Sequence, residues 1–201
     1  MNSLKIPTQL NTKHLILRPY RNGDGNSFFE MVENGNREYL REILGYITDS
    51  NDVQKIESWI QELASDWDNR NRFVLSYWEK ISNKFLGHIW IEPINWKMPL
   101  FEIGWFIEKN KQGQGYVTEA IKKALEFIFN NLKAHKVIVR IREYGLYYTK
   151  SKNVAKRCGF IKEGHLRDSV KLEDGSFVSE LYYGMLKEDY DKIYKIHEKL
   201  T

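Results

Sequence analysis

The chain is poor in the residues that cross-link a protein or divide it into segments. Its 201 residues include one cysteine, Cys158, and four prolines. A single cysteine excludes an intramolecular disulfide framework and any multi-cysteine zinc or iron–sulfur site, so nothing requires an oxidising compartment. There is no internal repeat, linker or low-complexity tract. No stretch approaches the ~18 apolar residues of a membrane span, and residues 1–14 hold no apolar run long enough for a signal peptide. The expectation is a cytoplasmic protein with no membrane partner. Charge of one sign is scarce too: 31 Lys and Arg against 27 Asp and Glu leave a formal charge of +4. That excess is small and dispersed along the chain, which argues against a nucleic-acid partner.

What is present is a composition able to build a core. Hydrophobic residues make up 42% of the chain and aromatics 14%, against 29% charged, which excludes a disordered or collagen-like chain. The length falls below the roughly 250 residues at which chains usually divide, so residues 1–201 are taken as one domain with its core at about 12–190.

Periodicity orders the elements. Residues 14–19 (HLILRP) read as a first strand, and Asp24 is placed to cap a helix over 25–33. Residues 37–48 are ambiguous. From Asp52 onward Val53, Ile56, Trp59, Ile60 and Leu63 mark an amphipathic helix. Three strand-like runs follow at 73–78, 85–92 and 100–107, with turns at 82–84 and 95–99, as in an antiparallel meander. After a glycine turn at 112–115, Ala120, Ile121, Ala124, Leu125, Ile128 and Leu132 define a long helix. A strand at 136–142, a short helix at 151–157, strands at 160–167 and 177–186 around the Asp174-Gly175 hairpin, and a helix at 187–200 complete the chain. The fold class is α+β, built on a mixed, mostly antiparallel sheet with flanking helices.

The glycine turn is the first functional signal. Gly113 and Gly115 lie between an apolar strand and a long helix, where unpaired backbone N–H groups converge and can hold a phosphate. A plain strand-to-helix turn has the same local pattern. Gly115 is followed by Tyr116-Val117, so this is not a GKS/GKT phosphate loop, and Thr118 stands where a dinucleotide fingerprint needs its third glycine.

Gln112-Gly113-Gln114-Gly115-Tyr116-Val117 resembles the acyl-CoA loop Q/R-x-x-G-x-G/A of the GNAT-fold N-acetyltransferases, with Val117 as the departure. Residues 112–120 also resemble R-G-x-G-Y-x-T-E-A, the longer form in the branch containing the ribosomal-protein N-terminal alanine and serine acetyltransferases. Residues 15–19, 85–89, 101–105, 151–160 and 163–167 resemble further landmarks of that branch, in the same order. The resemblance implies a single GNAT domain, its sheet splayed between the fourth and fifth of the strands named above, and acetyl-CoA as co-substrate without a metal. It places the pyrophosphate on the backbone of Gln112, Gly113, Gln114, Gly115, Tyr116 and Val117, with Thr118 at the helix start. The pantetheine arm would run along Trp105, Phe106 and Ile107 as an added strand. The acceptor implied is the α-amine of a protein N-terminus. A small amine such as a polyamine, amino acid or aminoglycoside, or a non-catalytic acyl-CoA-binding module, remains open, as does monomer or homodimer.

Acetyl transfer from a thioester to an amine needs a neutral amine, support for the oxyanion and a proton for the thiolate. Cys158 beside Gly159 reads as a packed residue and not as an acyl carrier. Glu102 is the first candidate base, and strand alternation leaves open whether it faces the cleft or solvent. Glu92 is the second. Many GNAT enzymes have a tyrosine acid where this chain has Ala155, and the branch resemblance assigns contact with the thiolate to Ser151. A helix cap is the other reading of Ser151. Tyr148 stands where the branch has asparagine and is a candidate donor, and Ser151 also counts among the cofactor contacts. His88, His135 and His165 lack ligand spacing, so no metal is expected. Trp90, Trp96 and Trp105 read mainly as packing residues, with one or two lining the acceptor pocket.

Overall fold

The computed structural model of the protein describes residues 6–145 and 147–195. In chain order the elements are β1 (Leu10–Asn11), β2 (Leu15–Arg18), α1 (Asp24–Met31), α2 (Arg37–Leu44), α3 (Val53–Asn69), β3 (Phe73–Glu79), β4 (Phe85–Asn95), β5 (Leu100–Ile107), α4 (Tyr116–Asn130), β6 (Lys136–Arg142), α5 (Tyr148–Arg157), β7 (Ile161–Lys171), β8 (Phe177–Leu186) and α6 (Lys187–Tyr190). The strands form one sheet in the order β1-β2-β3-β4-β5-β6-β8-β7. Pairing is antiparallel for β1–β2, β2–β3, β3–β4, β6–β8 and β7–β8. It is parallel for β5–β6, whose crossover is α4. Contacts group into two compact units, one containing the described residues up to Glu92 with Trp105–Ala124, the other containing Pro93–Gly104 and the described residues from Leu125 onward.

In the first unit, Leu15 and Leu17 of β2 are buried, and β3 is buried from Phe73 to Trp78, as a strand covered on both faces is. Ile56, Ile60, Leu63 and Trp67 form the buried stripe of α3, whose N-terminus is capped by Asp52 accepting the Gln54 N–H at 2.8 Å. Asp24 does not cap α1. It is the first residue of the helix, and its carboxylate is taken by the Arg18 guanidinium in a two-point contact of 2.6 and 2.9 Å. The ambiguous stretch at 37–48 is α2 followed by a 3₁₀ turn at Gly45–Asp49. Between α1 and α2 the backbone kinks at Gly35, where φ is +82°.

In the second unit, Val137, Val139 and Ile141 of β6 sit opposite Met185, Tyr183 and Leu181 of β8, and all six are buried. Each aliphatic side chain buried this way contributes about 2 kcal/mol. The strand expected at 160–167 runs from Ile161 to Lys171, with register breaks at Lys162/Gly164 and Leu166/Val170. The helix expected at 151–157 starts a turn earlier, at Tyr148. The closing helix expected at 187–200 is α for its first turn only and continues as wider turns over Asp191–Lys195, and residues 196–200 lie outside the described ones. Among the described residues no helix is long and apolar enough to cross a membrane.

Candidate active site

The glycine turn is built as a cradle. Beyond β5 the Glu108 N–H donates to the Leu86 carbonyl at 2.7 Å, and the Lys109 N–H donates to Asn36 Oδ1 at 2.7 Å. Asn36 is fully buried, and its amide also donates to the Met31 carbonyl at 2.7 Å, so the kink between α1 and α2 fixes where the turn begins. Gly113 and Gly115 have φ of +76° and +89°, in the left-handed region that glycine favours. A Cβ at either would meet no atom within 4 Å, so glycine is needed for conformation, and the space above both is open to a ligand. Gln114 closes the turn by donating to the Asn110 carbonyl at 3.0 Å. The first i→i−4 bond of α4 runs from the Glu119 N–H to the Gly115 carbonyl at 3.0 Å. The amides of Tyr116, Val117 and Thr118 therefore precede the helical ladder at the positive end of the helix dipole, an arrangement that attracts an anion. The Val117 and Thr118 side chains are half-buried.

At the end of β5 the buried Tyr77 hydroxyl donates to the Phe106 carbonyl. Alternation then turns the backbone groups of Trp105 and Ile107 toward the opposite edge of the strand. Of the three residues expected along the pantetheine, these two offer polar backbone there.

The second unit holds the candidate catalytic side chains. Glu102 faces neither open solvent nor an apolar wall: its two oxygens accept from Arg140 Nε and a terminal nitrogen, each at 2.8 Å. The pairing drives the Arg140 pKa upward. β5 pairs with β6 at Leu100–Lys136, Phe101–Val137 and Glu102–Ile138, which sets Arg140 two residues beyond the Glu102 partner on the same face. Ser151 is not a cap. Its N–H donates to the Tyr147 carbonyl at 2.9 Å inside the first turn of α5, and its half-buried hydroxyl makes no hydrogen bond among the described residues. Tyr148 donates to Glu143 at 2.8 Å, and the other Glu143 oxygen meets His165 Nε2 at 2.6 Å. Those two bonds, Tyr148 first, hold the Glu143 carboxyl below its usual range, and Glu143 in turn raises the Tyr148 phenol. Lys152 Nζ lies 3.5 Å from the Tyr148 hydroxyl and 4.7 Å from its ring centre. Tyr148, Ser151 and Lys152, at i, i+3 and i+4, share one face of α5.

The remaining candidates are placed elsewhere. Glu92 pairs with Arg72 at 3.3 Å in the first unit. His88 is buried, 2.8 Å from the Tyr20 hydroxyl, and burial followed by the Arg72 charge pushes its pKa down to about 3. Trp90 packs edge-on against His88, and Trp96 against Phe101. Cys158 is buried. Arg140, Glu143 and Lys152 are not legible in the sequence as neighbours of the candidate residues, because each acquires its meaning from a partner that strand register or a helix face supplies. Among the described residues no three His, Cys, Asp or Glu side chains gather as a metal group.

Residues 14–161 match the family model of the acetyltransferase (GNAT) domain. The chain belongs to the GNAT acetyltransferases. The N-acetyltransferase YnaD of Bacillus subtilis is 24% identical over 183 residues, covering 90% of this chain and 99% of that protein. Among solved structures, the microcin C7 self-immunity acetyltransferase MccE, in complex with acetyl-CoA and AMP, superposes with a TM-score of 0.77 at 22% identity, covering 92% of this chain and 98% of the other. The ribosomal L7/L12 alpha-N-protein acetyltransferase RimL, in complex with coenzyme A, gives 0.76 at 16% identity, covering 90% and 97%. At these identities the structures establish the GNAT fold. In chain order the glycine turn and α4 lie between the parallel strands β5 and β6.

Proposed function

We propose that this GNAT N-acetyltransferase moves the acetyl group of acetyl-CoA to an α-amine, that of a protein N-terminus of the ribosomal-protein type. The glycine cradle carries the donor half of this reading: two left-handed glycines with open space above them lead directly into the N-terminus of α4. Its backbone from Gln112 to Val117, with Thr118 at the helix start, takes the pyrophosphate, and the edge of Trp105 and Ile107 takes the pantetheine amides.

The acceptor half rests on proton affinity. An α-amine titrates near 7.7–8.0 and a lysine side chain near 10.4, so producing the neutral lysine costs about 3.5 kcal/mol more near neutral pH. The candidate base is a single carboxylate. Arg140 occupies two of the roughly four acceptor positions of the Glu102 carboxylate, which leaves the others to draw a proton through a bridging water. Such a site suits the easier deprotonation. The likeness to RimL in fold supports the same acceptor.

In the reaction the neutral amine nitrogen attacks the thioester carbonyl. The C–N bond forms and the C–S bond breaks as the tetrahedral intermediate collapses, the nitrogen loses a proton toward the water on Glu102, and the sulfur of coenzyme A gains one. Ser151 donates a hydrogen bond to the departing sulfur, and the Lys152 ammonium on the same helix face lowers the cost of its negative charge. Tyr148 already donates to Glu143, so its part is to fix the start of α5 and to offer its oxygen lone pairs.

A thiol-release assay with acetyl-CoA tests the reading against a panel of an N-terminal peptide, spermidine, free amino acids and an aminoglycoside, with products read by mass spectrometry. Turnover greatest on the peptide supports the assignment, whereas greater turnover on a small amine replaces the acceptor.

A further inference from the structure

The cradle consists of four residues, Gln112 to Gly115, two of them glycine, the residue with the most backbone freedom to lose. Left untethered, such a loop would lose much entropy on closing around an anion. Both of its stems end on one carboxylate. Lys111, immediately before the loop, donates to Glu79 Oε1 at 2.9 Å, and Tyr116, the first residue of α4, donates to the same oxygen at 2.7 Å. The second oxygen accepts from Ser82 in the turn after β3. Glu79 is the last residue of β3, and its side chain is only 15% exposed, so the anchor sits on the sheet and not on another loop. Lys111 also lies over the Tyr116 ring at 5.8 Å, so the two stems touch each other as well as their shared partner.

A neighbouring contact holds the helix but not the loop. Glu119, in the first turn of α4, accepts the His14 N–H and meets His14 Nδ1, both at 2.8 Å. It reaches only the stem after the loop.

We infer that Glu79 is a positioning residue for coenzyme A: by joining the stems at Lys111 and Tyr116 it holds the amides of the cradle in their binding arrangement before the ligand arrives. The inference rests on the cradle being the pyrophosphate site. It is separable from simple electrostatics, because the two predict opposite signs. A glutamate near a pyrophosphate repels it, and removing Glu79 also frees the Lys111 ammonium, so a purely electrostatic role means tighter binding in its absence. A positioning role means weaker binding despite the charge change.

Calorimetric titration of Glu79→Ala and Glu79→Gln with coenzyme A decides between them, alongside hydrogen–deuterium exchange of the 113–118 amides in the ligand-free proteins. The expected result is a dissociation constant raised at least fivefold, faster exchange confined to the loop, and a KM for acetyl-CoA that rises by more than kcat falls. Where a Glu79 variant does not fold, Tyr116→Phe, which changes no charge, frees the α4 stem from the carboxylate and must weaken binding in the same direction. Unchanged or tighter binding in the folded variants overturns the inference. Gly115→Glu serves as the control: if it abolishes binding while the Glu79 variants do not, the clamp fails and the cradle stands, and if it too binds normally the cradle itself is wrong.

Discussion

Glu102 and Arg140 meet through two hydrogen bonds of 2.8 Å between adjacent parallel strands, so the candidate base of this acetyltransferase is also half of a bidentate ion pair. The guanidinium fixes the plane of the carboxylate and takes two lone pairs. Glu102→Gln keeps an oxygen for Arg140 and removes the proton acceptor. It is expected to lower kcat at least tenfold while leaving the KM for acetyl-CoA within about threefold. Steady-state kinetics that show the reverse split would move Glu102 from base to cofactor contact.

Gly115→Glu sets bulk and a negative charge at the mouth of the cradle and forces a glutamate into a backbone with φ of +89°. Affinity for coenzyme A is expected to fall at least tenfold. Calorimetry that finds it unchanged would remove the pyrophosphate from this loop.

Ser151→Ala tests the leaving-group contact. The serine lies within the first turn of α5, with its N–H already bonded to Tyr147, so no cap is lost and the melting temperature should stay within about 2 °C. The drop belongs in kcat, about tenfold, more than in the KM for acetyl-CoA. Full kcat in the variant would leave the hydroxyl without a catalytic part.

The Glu79 clamp should also appear in the acid stability of the protein. Hydrogen bonds from Ser82, Tyr116 and Lys111 hold the carboxyl at about 2 instead of 4.5. A carboxyl depressed on folding stabilises the native state above its unfolded pKa, and that contribution disappears as pH falls through the folded value. Wild type is therefore expected to exceed Glu79→Gln in stability at pH 6, by about 1 kcal/mol after solvent screening, with the gap shrinking between pH 4.5 and 2. Denaturant melts at pH 6 and pH 2.5 measure both ends, and a gap that widens in acid contradicts the clamp.

The sequence showed best what is local. The cradle, α3 and α4 announce themselves through glycine spacing and helical periodicity, and the Asp174-Gly175 hairpin through its turn residues. Features that depend on register were hidden. Glu102 and Arg140 are 38 residues apart, and only the Glu102–Ile138 pairing makes them neighbours. Glu79 lies 32 and 37 residues from the donors that give it a role. Asp24 looked like a cap because aspartate before an apolar run usually is one. Arg18, across the turn after β2, outcompetes the helix amides for its carboxylate. Ser151 looked like a cap for the same local reason, and the earlier start of α5 at Tyr148 carries no capping side chain that could have announced it.

Transfer of acetyl to an α-amine is open to one paired measurement. Two peptides of identical sequence, each with one internal lysine, one with a free and one with a blocked N-terminus, are incubated with the protein and acetyl-CoA at pH 7.5, and the modified position is located by tandem mass spectrometry. Acetylation is expected to be confined to the N-terminus of the free peptide. Equal acetylation of both peptides at lysine would contradict it.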